Sequence, residues 1–170
     1  MRQFDIVYAD PPWKQQKGGT RKVRPRQGRQ LDYRTLSIHD IEMILSEYDA
    51  STMFLWTIDK FLHKAESIID SLGYRLHARI VWDKGNGPAP AFTLRFTKEY
   101  LLWAYKRPMM KIAQDMRGKY TDVLREAPRG HSRKPEKAYL MIEHLYPDAS
   151  KIELFARQRR QGWDAFGDQL

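Results

Sequence analysis

A chain of 170 residues has room for a single domain with a substantial core. It contains no cysteine and five scattered histidines, which excludes disulfides and thiolate metal sites, gives no expectation of a bound metal and fits a cytoplasmic setting. No run of about 18 apolar residues offers a membrane span, the first residues do not read as a signal peptide, and the net charge of +9 points toward a polyanionic partner.

Phe4 to Ala9 (FDIVYA) is a β-branched, mostly apolar run and reads as a buried strand that ends in Asp10-Pro11-Pro12-Trp13. From Lys14 to Arg34 there are eight Lys or Arg against one acid, Asp32, so this segment carries +7 of the net charge. Its Gly, Gln and Pro content makes it a loop, and Lys17, Arg21, Lys22, Arg24, Arg26 and Arg29 are candidate phosphate contacts. The alternative is a solvated, solubilising loop. Ser37 followed by Asp40 resembles a capping box that opens a helix through about Tyr48, with Ile38, Ile41, Ile44 and Leu45 on one face. Thr52 to Thr57 is the second strand. A helix from about Lys60 to Leu72 follows, with Gly73 in the C′ place. Arg75 to Trp82 is the third strand, and the Gly- and Pro-rich stretch after it is a loop, taken here as 84–97. Lys98 to Lys106 is the fourth strand and Thr121 to Ala127 a weaker fifth. Pro135 takes the N1 place of a helix reaching about Tyr146, and Ser150 to Ala156 is the last strand.

Strands alternating with helices, some almost wholly apolar, indicate an α/β sandwich with a mostly parallel central sheet. The fourth and fifth strands have no helix between them, so an antiparallel element is expected there. No repeat or linker divides residues 1–170. In open α/β sheets ligands bind beyond the carboxyl ends of strands, and Asp10 and Arg157 both fall just past such ends.

The tip of the first strand has a chemistry of its own. Proline has no N–H, so Pro11 and Pro12 offer carbonyl acceptors without competing donors. The Asp10 carboxylate is a pure acceptor, and Trp13 brings a flat face. Two acceptors beside a stacking platform suit a planar group bearing an NH₂, such as adenine. Each residue also has a plainer reading: Asp10 as a cap, the prolines as a rigid turn, Trp13 as core.

Asp-Pro-Pro-Trp after a strand resembles the S-adenosylmethionine-dependent N(6)-adenine methyltransferases, the family of the eukaryotic mRNA adenosine methyltransferase catalytic subunit. "LDYRTLSIHDI", "FLWT", "KEYLL", "HSRKP", "KIELFAR" and "GWDAFGDQL" follow in the family's order, and the C-terminal half resembles the bacterial and phage DNA adenine methyltransferase subgroup. The resemblance implies a Rossmann-like three-layer methyltransferase sandwich and S-adenosylmethionine as cofactor. It assigns the target amine to Asp10, Pro11 and Pro12, and the base to Trp13 and Tyr33, with packing under the loop as the alternative for Tyr33. It places Asp10 and Lys134 at the methionine end of the cofactor. Glu153, Arg157, Asp168 and Gln169 fall at its ribose and adenine, with Arg159 and Arg160 on cofactor or phosphate. Ala156 stands where the family often has glycine, which implies a slightly different backbone approach. Only nine residues precede Asp10, which implies a more open pocket than in the eukaryotic relative.

The expected activity is methyl transfer to the N(6) amine of adenine in nucleic acid, DNA before RNA, on a single-stranded or flipped base. The basic loop 14–34 and the loop 84–97 would supply selectivity, since no separate target-recognition domain is visible. A homodimer is one way of completing the basic loop. The alternative is a catalytically silent nucleic-acid-binding subunit. Methylation of another planar amine or amide in protein is a third reading, which the basic loop disfavours.

Overall fold

The computed structural model describes residues 2–14, 35–85, 94–129, 133–167 and 170. The strands are β1 (Arg2–Ala9), β2 (Tyr48–Thr57), β3 (Arg75–Asp83), β4 (Lys98–Tyr105), β5 (Val123–Arg125), β6 (Lys151–Leu154) and β7 (Asp164–Phe166). The helices are α1 (Ile38–Ser46), α2 (Leu62–Ser71) and α3 (Glu136–Leu145). Every expected element is present within a few residues. The helix expected from Lys60 begins as a 3-10 turn, Asp59–Phe61, before α2. β7 was not expected: three residues without alternation carry no period-2 signal.

The sheet runs β5-β3-β4-β2-β1-β6-β7. β1 lies parallel to β2 on one side and to β6 on the other, β6 is parallel to β7, and β3 to β5. The antiparallel element is β4, inserted between β2 and β3 and antiparallel to both. The expected β4–β5 neighbourhood is therefore corrected: β5 hydrogen-bonds to β3, because β4 already has both edges filled. The remaining strands keep one direction, so their carboxyl ends share one edge of the sheet.

Alternation along β1 explains the layers. Val7 and Ala9 point into a core shared with Ile41 and Leu45 of α1 and Ala65, Ile68 and Ile69 of α2. Ile6 and Tyr8 point the other way, toward Ala138, Met141, Ile142 and Leu145 of α3. This is a Rossmann-like three-layer sandwich, α1 and α2 on one face and α3 on the other. Trp56, Tyr8 and Phe54 are among its largest fully buried side chains, and each such burial contributes about 1.5–3 kcal/mol.

Local signals hold the helix ends. The Ser37 Oγ accepts from Asp40 N–H and the Asp40 carboxylate from Ser37 N–H, both at 3.1 Å, as a capping box requires. After α2, Gly73 at φ +78° lets its N–H reach Asp70 O and Tyr74 N–H reach Ile69 O, a Schellman ending. Pro135 is the N-cap of α3 rather than N1, with ψ 138° keeping it outside the helix. Two of the N–H groups that a helix start leaves without an intrahelical partner are bonded here: Glu136 and Lys137 donate to the two Glu126 carboxylate oxygens at 2.9 and 3.0 Å. At the opposite edge of the sheet, Asp5 accepts from Ser150 N–H and Oγ, both at 2.8 Å, and so ties the start of β1 to the start of β6. Among the described residues no helix is long and apolar enough to cross a membrane.

Candidate functional site

From β1 the chain crosses one face through α1, whereas β6 is entered from α3 on the other face. Opposite crossovers part at the carboxyl ends of β1 and β6 and open a crevice there. Asp10, Lys134, Tyr139, Glu153, Phe155 and Arg157 line it, with Arg129 and Arg133 at its side. The chain's two ends thus supply one cavity: Asp10 from the tip of β1, and Glu153 and Arg157 from β6 and just beyond it.

The two prolines turn the chain sharply after Asp10. Trp13 N–H donates to Pro11 O at 2.9 Å and Leu36 N–H to Pro12 O at 3.0 Å. Each carbonyl therefore already accepts one backbone hydrogen and keeps one lone pair, which corrects the expectation of two uncommitted acceptors. The turn folds Trp13 back under the sheet. Its indole is 6 % exposed, stacks on Phe61 at 5.5 Å between centroids, and donates Nε1–H to Trp56 O at 3.0 Å. Trp13 is a core residue in this arrangement and does not present the open face expected of a base platform, because a large apolar ring gains more from burial.

Lys134 sits between two carboxylates. Its Nζ lies 3.0 Å from Asp10 Oδ1 and 2.7 Å from Glu99 Oε2, and 5.3 Å above the Trp56 ring. Lys84 bonds the other Glu99 oxygen. Burial pushes the Asp10 carboxyl up, against the pull of Lys134. Burial also acts to raise Glu99, yet Lys134 and Lys84 together hold it below the usual carboxylate range. Burial works to lower Lys134, and the two acids outweigh it and hold the ammonium above its ordinary value. Glu99 was missed as a site residue. The signal available was a Lys-Glu pair opening an otherwise apolar strand, where an acid has no reason to sit unless a cation meets it.

A second buried chain ends on Glu153. Trp56 Nε1–H donates to Tyr8 Oη at 2.6 Å, and Tyr139 Oη–H donates to Glu153 Oε1 at 2.8 Å. The Tyr8 and Tyr139 rings lie 4.8 Å apart. Glu153 is 8 % exposed, and burial pushes its carboxyl up to about 7, with Tyr139 opposing and the Asp10 charge adding to the rise. Just beyond it, Phe155 lines the crevice at φ +63°. A bulky side chain seldom takes this left-handed region without a site that asks for it. Ala156 carries no such φ, and its methyl is accommodated at 1 % exposure.

Arg159 and Arg160, expected on cofactor or phosphate, both lie away from the crevice. The Arg160 guanidinium is committed to Glu143 through Nε at 2.6 Å and Nη2 at 3.1 Å, and to Glu136 through Nη1 at 2.6 Å. It clamps the segment after β6 onto α3, and neither it nor the exposed Arg159 lines the crevice. Asp168, Gln169, Tyr33 and the basic residues Lys17, Arg21, Lys22, Arg24, Arg26 and Arg29 lie outside the described residues, as does most of the 84–97 loop.

Comparison with known proteins bears on this geometry. Residues 4–169 match the MT-A70 family. The chain is 28 % identical over 179 residues to N(6)-adenosine-methyltransferase MT-A70-like of Arabidopsis thaliana, covering 98 % of this chain and 24 % of that protein. It is 28 % identical to the human N(6)-adenosine-methyltransferase catalytic subunit METTL3, over 99 % of this chain and 28 % of that one. Type II methyltransferase M.MunI of a Mycoplasma species is 26 % identical, over 99 % of this chain and 78 % of its own length. The chain therefore spans about a quarter of the plant and human relatives and most of the Mycoplasma one.

Proposed function

The chain belongs to the MT-A70 family, and on that premise we propose that it methylates the exocyclic N(6) amine of adenine in nucleic acid, DNA in preference to RNA, using S-adenosylmethionine. The observation that carries the reading is Asp10 held against Lys134 in a crevice that Glu153 and Arg157 share. The preference for DNA rests on the bacterial type of the C-terminal half and on the fraction of the Mycoplasma relative that the chain covers.

The donor set suits the cofactor. Lys134 spends two of three N–H donors on Asp10 and Glu99 and keeps the third for a carboxylate. Glu153 has one oxygen on Tyr139 and its second available to ribose hydroxyls, and Arg157 lies beside it. When bound, the cofactor supplies an electrophilic methyl carbon on a sulfonium. The chain's own residues do the rest. The free oxygen of Asp10 and the remaining lone pair of Pro11 O accept the two amine hydrogens, which turns the nitrogen lone pair out of the ring and toward the incoming carbon. Positive charge then develops on that nitrogen, and the Asp10 carboxylate stabilises it where it forms. Lys134 opposes the rise that burial imposes on the Asp10 carboxyl, and Glu99 keeps Lys134 in place. No side chain serves as nucleophile, so rate enhancement comes from alignment and electrostatics.

The test is mass spectrometry of nucleosides from DNA and RNA incubated with protein and S-adenosylmethionine, beside an Asp10→Ala variant whose folding is checked by thermal melting. N(6)-methyladenine from the wild type, and its loss in a folded Asp10→Ala, are expected. A wild type that binds cofactor and methylates neither polymer would leave the chain a silent binding subunit.

A further inference from the structure

Away from the crevice a second concavity runs down the side of the sheet. β5 is an edge strand, and the groove lies between its outer edge and α3, enclosing about 500 Å³. Lys137, Leu140 and His144, spaced i, i+3 and i+7, form the helix wall, and Lys119, Tyr120 and Arg125 stand on the strand side. Among the described residues no carboxylate lines this groove. Three Lys or Arg converge here, although the whole chain outside residues 14–34 carries only +2 of the +9. Lys119, Arg125 and Lys137 are all exposed.

Groove and crevice meet the start of α3 from two sides: Glu136 lines the crevice and Lys137 the groove. Arg129 and Arg133, which line the crevice, lie on the segment that joins β5 to α3, and Arg129 bonds both Glu126 at 3.0 Å and Glu136 at 3.3 Å. Lys137 in the first turn of α3 donates Nζ to Arg125 O at 2.7 Å, closing the upper end of the groove. At its foot the Tyr120 hydroxyl meets His144 Nδ1, with the rings 6.2 Å apart. From Lys137 to His144 the helix rises roughly 10 Å, which matches about three stacked nucleotides. The cations are not locked in strong pairs: the nearest acid to Arg125 is Asp83 at 3.7 Å, and the Arg125 side chain is 81 % exposed, where an ion pair is worth little.

We infer that this groove is a track for the phosphate backbone of a single nucleic-acid strand leaving the crevice. Exposed cations with only the loose Asp83 contact at Arg125, an apolar floor of Val123, Leu124 and Leu140, and an aromatic pair at the foot are the make-up of a sequence-tolerant single-strand groove. The inference rests on the nucleic-acid reading above and extends the contact surface to residues outside the basic loop.

The experiment measures binding of a fluorescein-labelled, adenine-rich single strand of about 20 nucleotides by anisotropy across a salt series. It compares the wild type with Lys119→Gln/Arg125→Gln/Lys137→Gln. Three lost phosphate contacts lower the slope of log K against log[salt] by about 2 at 0.7 per contact. An affinity gain from lengthening the strand, present in the wild type, disappears in the variant. Calorimetry with S-adenosylmethionine and a thermal melt verify that the variant is folded. Should the triple variant lose its cooperative melt, Lys119→Gln and Arg125→Gln singly carry the same comparison at about 0.7 each. An unchanged slope and length dependence in a folded variant overturn the track. So does a wild-type dimer that the substitutions dissociate with the slope unchanged, which would give the groove to a second copy. A wild type that binds no strand at all removes the nucleic-acid reading itself along with the track.

Discussion

Lys134 lies within 3.0 Å of two carboxylates, Asp10 and Glu99, in a place with little water. Two acids around one ammonium would repel if the cation left, so the three side chains stand or fall as a unit. Glu153 is different: its hydrogen-bond partner is the Tyr139 phenol, and the Arg160 charge only weakly opposes its rise. Its value of about 7 lies above the 4.5 of a free glutamate, so the folded chain holds that proton more tightly than the unfolded one. Raising the pH from about 4.5 through 7 therefore removes stability, and the full cost of about 3 kcal/mol is present above that window. Glu153→Gln keeps an oxygen for Tyr139 and has no proton to lose. Urea midpoints at pH 5 and pH 8 should differ by less in this variant than in the wild type, with the variant the more stable at pH 8. Equal pH dependence in the two proteins would mean that Glu153 is not the group that titrates.

At the level of elements, β6 and β7 hold the wall of the crevice by backbone contact. Ala156 N–H donates to Phe166 O at 3.0 Å, and Gly167 passes so close that an added Cβ would lie 2.1 Å from Ala156 O. The glycine that matters at this strand end is therefore Gly167, while position 156 tolerates alanine. Gly167→Ala must push β7 off β6, and the expected cost is about 1–3 kcal/mol. For a chain of this size that amounts to a fall in Tm of roughly 2–4 °C per kcal/mol, together with weaker cofactor binding. An unaltered melt would show that the two strands do not pack so tightly. Elements bounded by their own signals were legible in advance: Ser37 and Asp40 announce α1, Gly73 ends α2, and the apolar run Phe4 to Ala9 marks β1. Asp10 and Arg157 could also be brought to one edge of the sheet from their places past strand ends, and the family resemblance added Lys134 and Glu153. Glu99 was passed over: its one local mark is the Lys98-Glu99 pair opening an apolar strand, and the cation that explains it is 35 residues away along the chain. The burial of Trp13 was not legible, since Phe61 and Trp56 decide it from a different strand and turn. β7 is three residues long and becomes a strand only through β6.

The whole molecule is electrically lopsided. Residues 14–34 carry +7 and the other 149 residues together only +2. In the sequence this segment follows Asp-Pro-Pro-Trp directly. Such a distribution attracts a polyanion toward one side, raises the encounter rate and makes binding depend on salt. Replacing Lys17, Arg21, Lys22 and Arg24 together with Gln should weaken binding of an adenine-rich strand and lower the salt slope by up to about 3, at 0.7 per lost contact. Calorimetric affinity for S-adenosylmethionine should be retained, because the donor set proposed for it, Lys134, Glu153 and Arg157, is untouched. Combined with the β5–α3 groove substitutions, the two reductions in slope should add, since contacts along one strand that share no protein partner act independently. A slope that the loop substitutions leave unchanged would mean that the segment serves solubility and that the polyanion is held elsewhere.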